Sequence, residues 1–137
     1  MKGKSIKIFL IEGTPNQRLY GELSNWNGRV YRIPRNEIKK SEDRMDLQYT
    51  SAYVLLGKND EGNTLAYIGE CDNARERLLQ HLKHKDFWDE ALVFIRTDNS
   101  LNKAYVKHIE RRLYDMATEV GRCVLKNGNQ PGGATGW

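Results

Sequence analysis

Two apolar runs separated by a compact turn constrain this chain more than any other feature. YTSAYVLL (49–56) and TLAYI (64–68) flank GKNDEGN (57–63), whose N-D and G-N pairs and two glycines are turn chemistry. Strands joined by so short a connection lie antiparallel, so the stretch reads as a β-hairpin with Tyr53 and Tyr67 on its paired strands. Gly69 is expected to end the second strand and turn the chain, and Asp72 to cap the helix that follows. That helix covers 73–83, with Ala74, Leu78 and Leu82 as an apolar stripe spaced by four.

Residues 92–95 form a third strand, and a long helix spans 101–120 with Leu101, Tyr105, Ile109, Leu113, Met116 and Val120 on its apolar face. CVL (123–125) is a short return. The order strand, strand, helix, strand, long helix is that of an α/β (α+β) unit, a small sheet packed against helices. Ahead of it, residues 5–11, 18–23 and 28–33 read as three short strands, NWNG (25–28) as a hairpin turn, and the polar 34–48 as helical in part. The expected organisation is therefore a β-rich N-terminal extension (1–48), a main domain (49–129) and a glycine-rich, disordered tail (130–137).

A length of 137 residues favours one domain, and 39% hydrophobic residues suffice for a modest core. No apolar run reaches the roughly 18 residues of a membrane span. The start, MKGKSIKIFLIEG, is too short and interrupted in its apolar part for a signal peptide. Two cysteines, Cys71 and Cys123, form no C-x-x-C pair, which points to reduced thiols and a cytoplasmic location. A net charge of +4 fits a nucleic-acid partner and also many proteins without one. Trp26, Arg29, Tyr31, Arg32 and Arg35 suit either core aromatics with solvated arginines, the favoured reading, or a basic aromatic surface touching phosphates.

Three features carry chemistry. Tyr53 and Tyr67 share a hairpin, where a tyrosine pair is most often packing. Arg77 and His81, four apart, project from one face of the first helix, with Gln80 and His84 beside them. Glu110 has Val106, Leu113, Tyr114, Ala117 and Lys103 as helix-surface neighbours, so it sits just inside the apolar arc. A carboxylate there needs compensation, either a salt bridge, to Arg77 or a lysine, or a divalent metal. Together these residue types suit phosphodiester hydrolysis. A phenol relayed through histidine takes a proton from water, arginine holds the nonbridging oxygens, and a metal on the glutamate supports the leaving group.

The chain resembles the GIY-YIG nuclease superfamily over roughly 49–129. Tyr67, Ile68 and Gly69 read YIG, whereas Ser51, Ala52 and Tyr53 stand where Gly-Ile-Tyr is expected, with the tyrosine kept. Arg77, in the context GECDNARERLLQH, occupies the place of the family arginine on the helix after YIG. His81 is similar to the histidine that some members carry four residues later, and Glu110 to the metal-binding glutamate. Asn127, or alternatively Asn129, is similar to the asparagine near the domain's end. The resemblance implies a mainly antiparallel three-stranded sheet flanked by helices and a DNA endonuclease with one Mg²⁺ (or Mn²⁺) on Glu110. In it Tyr53 or Tyr67 serves as base or positions the water, His81 assists a tyrosine, and Arg77 binds the scissile phosphate. Gly69, Lys83 and His84 join Arg77 in contacting DNA. It also leaves room for a further C-terminal DNA-recognition region. The rival reading is a non-catalytic nucleic-acid-binding or protein-interaction module using the same basic face. Oligomeric state and the DNA recognised are not legible.

Overall fold

The computed structural model describes residues 5–23, 27–120 and 123–127, in the order β1 (Ile6–Leu10), β2 (Leu19–Leu23), β3 (Gly28–Pro34), β4 (Ser51–Lys58), β5 (Thr64–Cys71), α1 (Ala74–His84), β6 (Glu90–Arg96), α2 (Lys103–Val120), β7 (Cys123–Leu125). The hairpin forms as expected, with β4 and β5 antiparallel from Ser51↔Cys71 to Lys58↔Thr64. Its turn is built by Asn59, whose Oδ1 accepts from the amides of Glu61 (3.0 Å) and Asn63 (2.9 Å), and by Gly62 at φ +83°, where a side chain would be strained. β6 pairs with the other side of β4 and completes an antiparallel trio.

The expected small three-stranded sheet is in fact seven-stranded, in the order β1-β2-β3-β6-β4-β5-β7. The N-terminal strands do not stand apart: β3 pairs with β6 from Gly28↔Arg96 to Pro34↔Glu90. Every contact is antiparallel except β5 with β7. Such pairings join segments far apart in sequence, and local periodicity carries no record of them.

Side chains alternate across the sheet and make two cores. On one face, Tyr31, Ile33, Tyr53, Leu55 and Val93 pack against Ala74 and Leu78 of α1, with Ile38, Leu47 and Trp88. On the other, Ala52, Val54, Ala66 and Ile68 pack under Val106, Leu113 and Ala117 of α2. Residues 34–48 form three 3-10 turns (Arg35–Glu37, Lys39–Asp43, Met45–Gln48), anchored by Ile38 and Leu47 and by the buried Arg18 bound to Glu12, Asp43 and Ser41.

The α1 cap falls one residue later than expected. Asn73, not Asp72, accepts from the Glu76 amide at 3.0 Å. Arg35 closes the other end, donating to the carbonyls of Leu82 (2.9 Å), Lys85 (2.8 Å) and Trp88 (3.2 Å). Among the described residues no helix is long and apolar enough to cross a membrane, and Cys71 and Cys123 are free.

Candidate active site at the open edge of β5

β5 continues through Gly69 to Cys71, so Gly69 neither ends the strand nor turns the chain. Its glycine is needed for clearance instead. Gly69 lies opposite Tyr53, and a Cβ on it would stand 2.5 Å from the Tyr53 hydroxyl and 2.6 Å from Cζ. The Tyr53 ring crosses this bare backbone and brings its hydroxyl to 2.7 Å from His81 Nε2 on α1. Tyr67, two residues before Gly69 on the same face, stacks on Tyr53 with ring centroids 6.4 Å apart and meets His81 edge-on at 5.2 Å. Lys85 places its ammonium 4.5 Å from the Tyr67 ring centroid.

The electrostatics follow from burial. His81 is 8% exposed, and burial, then the charges of Lys85, Arg77 and His84, press its pKa down to about 4. It is neutral at pH 7. Burial and Tyr67 push the Tyr53 phenol well above its ordinary range, against the pull of Arg77. A protonated Tyr53 thus faces a neutral imidazole, and its O–H donates when Nδ1 carries the ring proton. Tyr67 is less buried. Burial raises its pKa too, Arg77 opposes the rise and Glu110 adds to it, so both charges reach this ring.

β7 covers β5 only from Thr64 to Ala66. Asn127 carries the cover one step further, its amide donating to the Ile68 carbonyl (2.7 Å) and accepting from the Ile68 amide (2.9 Å). Past Ile68 no described strand pairs with the outer edge of β5. There Arg77 Nη1 donates to the Glu70 carbonyl at 3.5 Å, leaning over the open edge from α1.

Glu110 approaches from α2, across the opposite sheet face. It is 2% exposed, and among the described residues no hydrogen bond or ion pair reaches its carboxylate; the Arg77–Glu110 ion pair is not formed. Burial, then the charge of Glu70, raises its pKa to about 7, with Lys107 and Lys103 opposing. Glu70, next to Gly69 but on the α2 face, holds Lys103 at 3.1 Å and Lys107 at 3.5 Å.

The fold thus gathers Tyr53, Tyr67, Gly69, Arg77, His81 and Glu110 around one strand edge. Asn127 is beside them, with both ends of its amide engaged on Ile68. Lys83 and His84 are exposed on the last turn of α1, with Lys83 lining a hollow beside Lys39 and Gln80. Asn129, Trp26, the side chain of Val120, the first residues of the NWNG turn and the tail 130–137 lie outside the described residues. Of the N-terminal aromatic and basic group, Tyr31 is core, as the favoured reading has it, but the arginines are paired rather than solvated: Arg29 binds Glu22 and Asp46, Arg32 binds Glu90, and Arg35 caps α1. Sequence reasoning missed Glu70, Lys85 and Lys107, and named Lys103 only as a neighbour of Glu110. The signal for Glu70 was the alternation Ala66, Ile68, Glu70, hidden once the strand was stopped at Gly69.

Among the described residues no group of three or more His, Cys, Asp or Glu side chains could hold a metal ion; near the edge stand Glu110, Glu70 and the exposed Asp72, which shares Lys103 with Glu70. Compared with models of known protein families, with curated proteins and with solved structures, the chain matches none.

Proposed function

We propose that the chain is a metal-dependent endonuclease that hydrolyses DNA phosphodiester bonds at the open edge of β5. The observation that carries this reading is Glu110: a buried carboxylate with no described donor or cation upon it, sharing the edge with Arg77 and Tyr67. A carboxyl group so placed is costly unless it stays protonated or meets a cation. Mg²⁺ fits such a site, because it keeps several waters and takes one or two carboxylates plus substrate phosphate. Glu110 would hold it. When bound, the ion supplies charge neutralisation at the phosphate and support for the departing oxygen.

The chain's own groups do the rest. The Arg77 guanidinium, at the solvent side of the edge, binds the nonbridging oxygens with two parallel N–H bonds. Tyr67, protonated at neutral pH and less buried than Tyr53, orients the attacking water. As the water oxygen bonds to phosphorus and the bond from phosphorus to the departing sugar oxygen breaks, the water's proton passes to the Tyr53 oxygen while the Tyr53 proton moves to His81 Nε2 across the 2.7 Å contact; the departing oxygen takes a proton from solvent. His81 is a weak base in the free protein because Lys85, Arg77 and His84 crowd it with positive charge. A bound phosphodiester offsets those charges and raises its basicity when it is needed. Gly69 contributes by letting Tyr53 lie flat enough to reach His81.

The test is cleavage of supercoiled plasmid by the chain and its Glu110→Ala variant, in Mg²⁺ and in EDTA. Nicking that needs the metal and disappears in the variant supports the reading. A folded parent that cleaves nothing across several divalent metals and DNA forms sinks it and leaves a non-catalytic binding module on the same basic face.

A further inference from the structure

Glu70 lies outside the roles above, and its surroundings are unusual. Its carboxylate projects from β5 toward α2, with a side chain only 14% exposed. Oε2 is buried and accepts no hydrogen bond, although Lys103 Nζ stands 3.1 Å from it as an ion pair. Oε1 has Lys107 Nζ at 3.5 Å. Lys103 and Lys107 precede Glu110 by seven and three positions on α2, so all three share one side of the helix. Glu70 is also the like charge that acts on Glu110. Two acidic side chains thus meet the same side of α2 within electrostatic reach of each other, the deeper one 2% exposed and without a described partner. The other is ion-paired with two ammoniums, one of which, Lys103, also reaches Asp72 at 3.4 Å.

We propose that Glu70 is the second carboxylate of a divalent-cation site shared with Glu110, and that the Lys103 and Lys107 ammoniums occupy the position of positive charge until the ion arrives. The inference rests on the nuclease reading for its metal, but it stands on different atoms. Two carboxylates on a small cation leave the remaining positions to water and phosphate, the arrangement Mg²⁺ and Mn²⁺ prefer. A long lysine is an apt placeholder. Its ammonium swings to solvent or toward a DNA phosphate when the ion displaces it, so the charge on Glu70 is balanced in both states. The lysines therefore tune affinity: they compete with the ion, and their release upon loading supplies cations beside the bound DNA.

Mn²⁺ alone is the probe, titrated into the full chain and followed by loss of the free-ion paramagnetic resonance signal. The variants are Glu70→Gln, Glu110→Gln and Lys103→Met/Lys107→Met. The isosteric glutamines keep volume and fold, checked by circular dichroism. Loss of either carboxylate is expected to weaken Mn²⁺ binding by roughly tenfold or more, and the double lysine variant to tighten it by about threefold or more. Plasmid cleavage is measured in parallel. If Glu70→Gln binds Mn²⁺ within about twofold of the parent while Glu110→Gln does not, the shared site is wrong and the single-carboxylate nuclease survives. If both glutamines lose Mn²⁺ but the loaded parent cleaves nothing, the shared site holds and the nuclease reading falls. A parent that binds no Mn²⁺ at millimolar concentration overturns the proposal.

Discussion

Gly69→Ala is the sharpest perturbation of the site, because its cost follows from three distances. The new Cβ would meet the Tyr53 hydroxyl at 2.5 Å, Cζ at 2.6 Å and Cε1 at 2.9 Å. Comfortable contacts are about 3.5–4.0 Å, so the ring must retreat by roughly 1 Å. Tyr53 is 1% exposed and packed in the core with Leu78 and Val93, so it has little room. Overpacking of this kind costs about 1–3 kcal/mol. Retreat also stretches the 2.7 Å contact with His81, a further loss of about 1 kcal/mol. Alanine recovers at most about 1 kcal/mol by restricting the unfolded chain. The last two terms roughly cancel, so the expected net destabilisation is about 1–3 kcal/mol, read from urea unfolding in EDTA by tryptophan fluorescence, with Trp88 buried in the same core. A double-mutant cycle isolates the cause. In a Tyr53→Leu background the penalty should fall below about 1 kcal/mol, whereas Tyr53→Phe should not relieve it, since Cζ is still in the way. An equal penalty in the leucine and tyrosine backgrounds would refute the stacked arrangement of Tyr53 on Gly69.

The pH dependence of stability should contain two opposed slopes. His81 has its pKa lowered to about 4 in the fold, so the unfolded chain binds the extra proton and stability falls as pH drops from about 6.5 to 4. Glu110 has its pKa raised to about 7, so the folded state binds the extra proton and stability falls as pH rises from about 4.5 to 7. In EDTA the parent should be nearly flat between pH 5 and 6, with each slope at most about 1.4 kcal/mol per pH unit. Glu110→Gln should expose the histidine slope and His81→Gln the reverse one; identical profiles in both variants would contradict the assignment. Asn127→Ala should cost about 1–3 kcal/mol, because it orphans the Ile68 amide and carbonyl, and the loss should appear in denaturant midpoints even without DNA. Arg35→Lys should destabilise more than Arg32→Lys by at least about 1 kcal/mol in the same assay, since one ammonium cannot span three carbonyls at the end of α1.

The hairpin, both helices and the burial of Glu110 were legible because each rests on short-range periodicity, although Tyr105 and Met116, counted on the apolar face of the long helix, are exposed. Residues 57–63 announced their turn, and the neighbours of Glu110 on a helical projection placed it correctly among apolar groups. The seven-stranded sheet was not legible, since Arg29↔Ile95 and Tyr31↔Val93 are matched by complementarity across the whole chain rather than by any local pattern. Gly69 misled for a different reason. A glycine after an apolar run looks like punctuation, yet here it is a gap cut for the side chain of the facing strand. Stopping β5 there concealed Glu70 and moved the helix cap onto Asp72, although an asparagine with a glutamate three residues on was available at Asn73 and Glu76.

The half-covered edge of β5 has a consequence for solubility. An exposed strand edge is a template on which another chain can add, and proteins guard such edges with charge. β7 and the Asn127 amide close β5 as far as Ile68, and the remainder is guarded by Arg77 over the Glu70 carbonyl and by the lysines of α2. The charges proposed above to meet a phosphate therefore also serve as gatekeepers against self-association. Neutralising Arg77 leaves only the lysines of α2 on guard, so Arg77→Gln should stack edge to edge more readily than the parent, read as a rise of apparent mass with concentration.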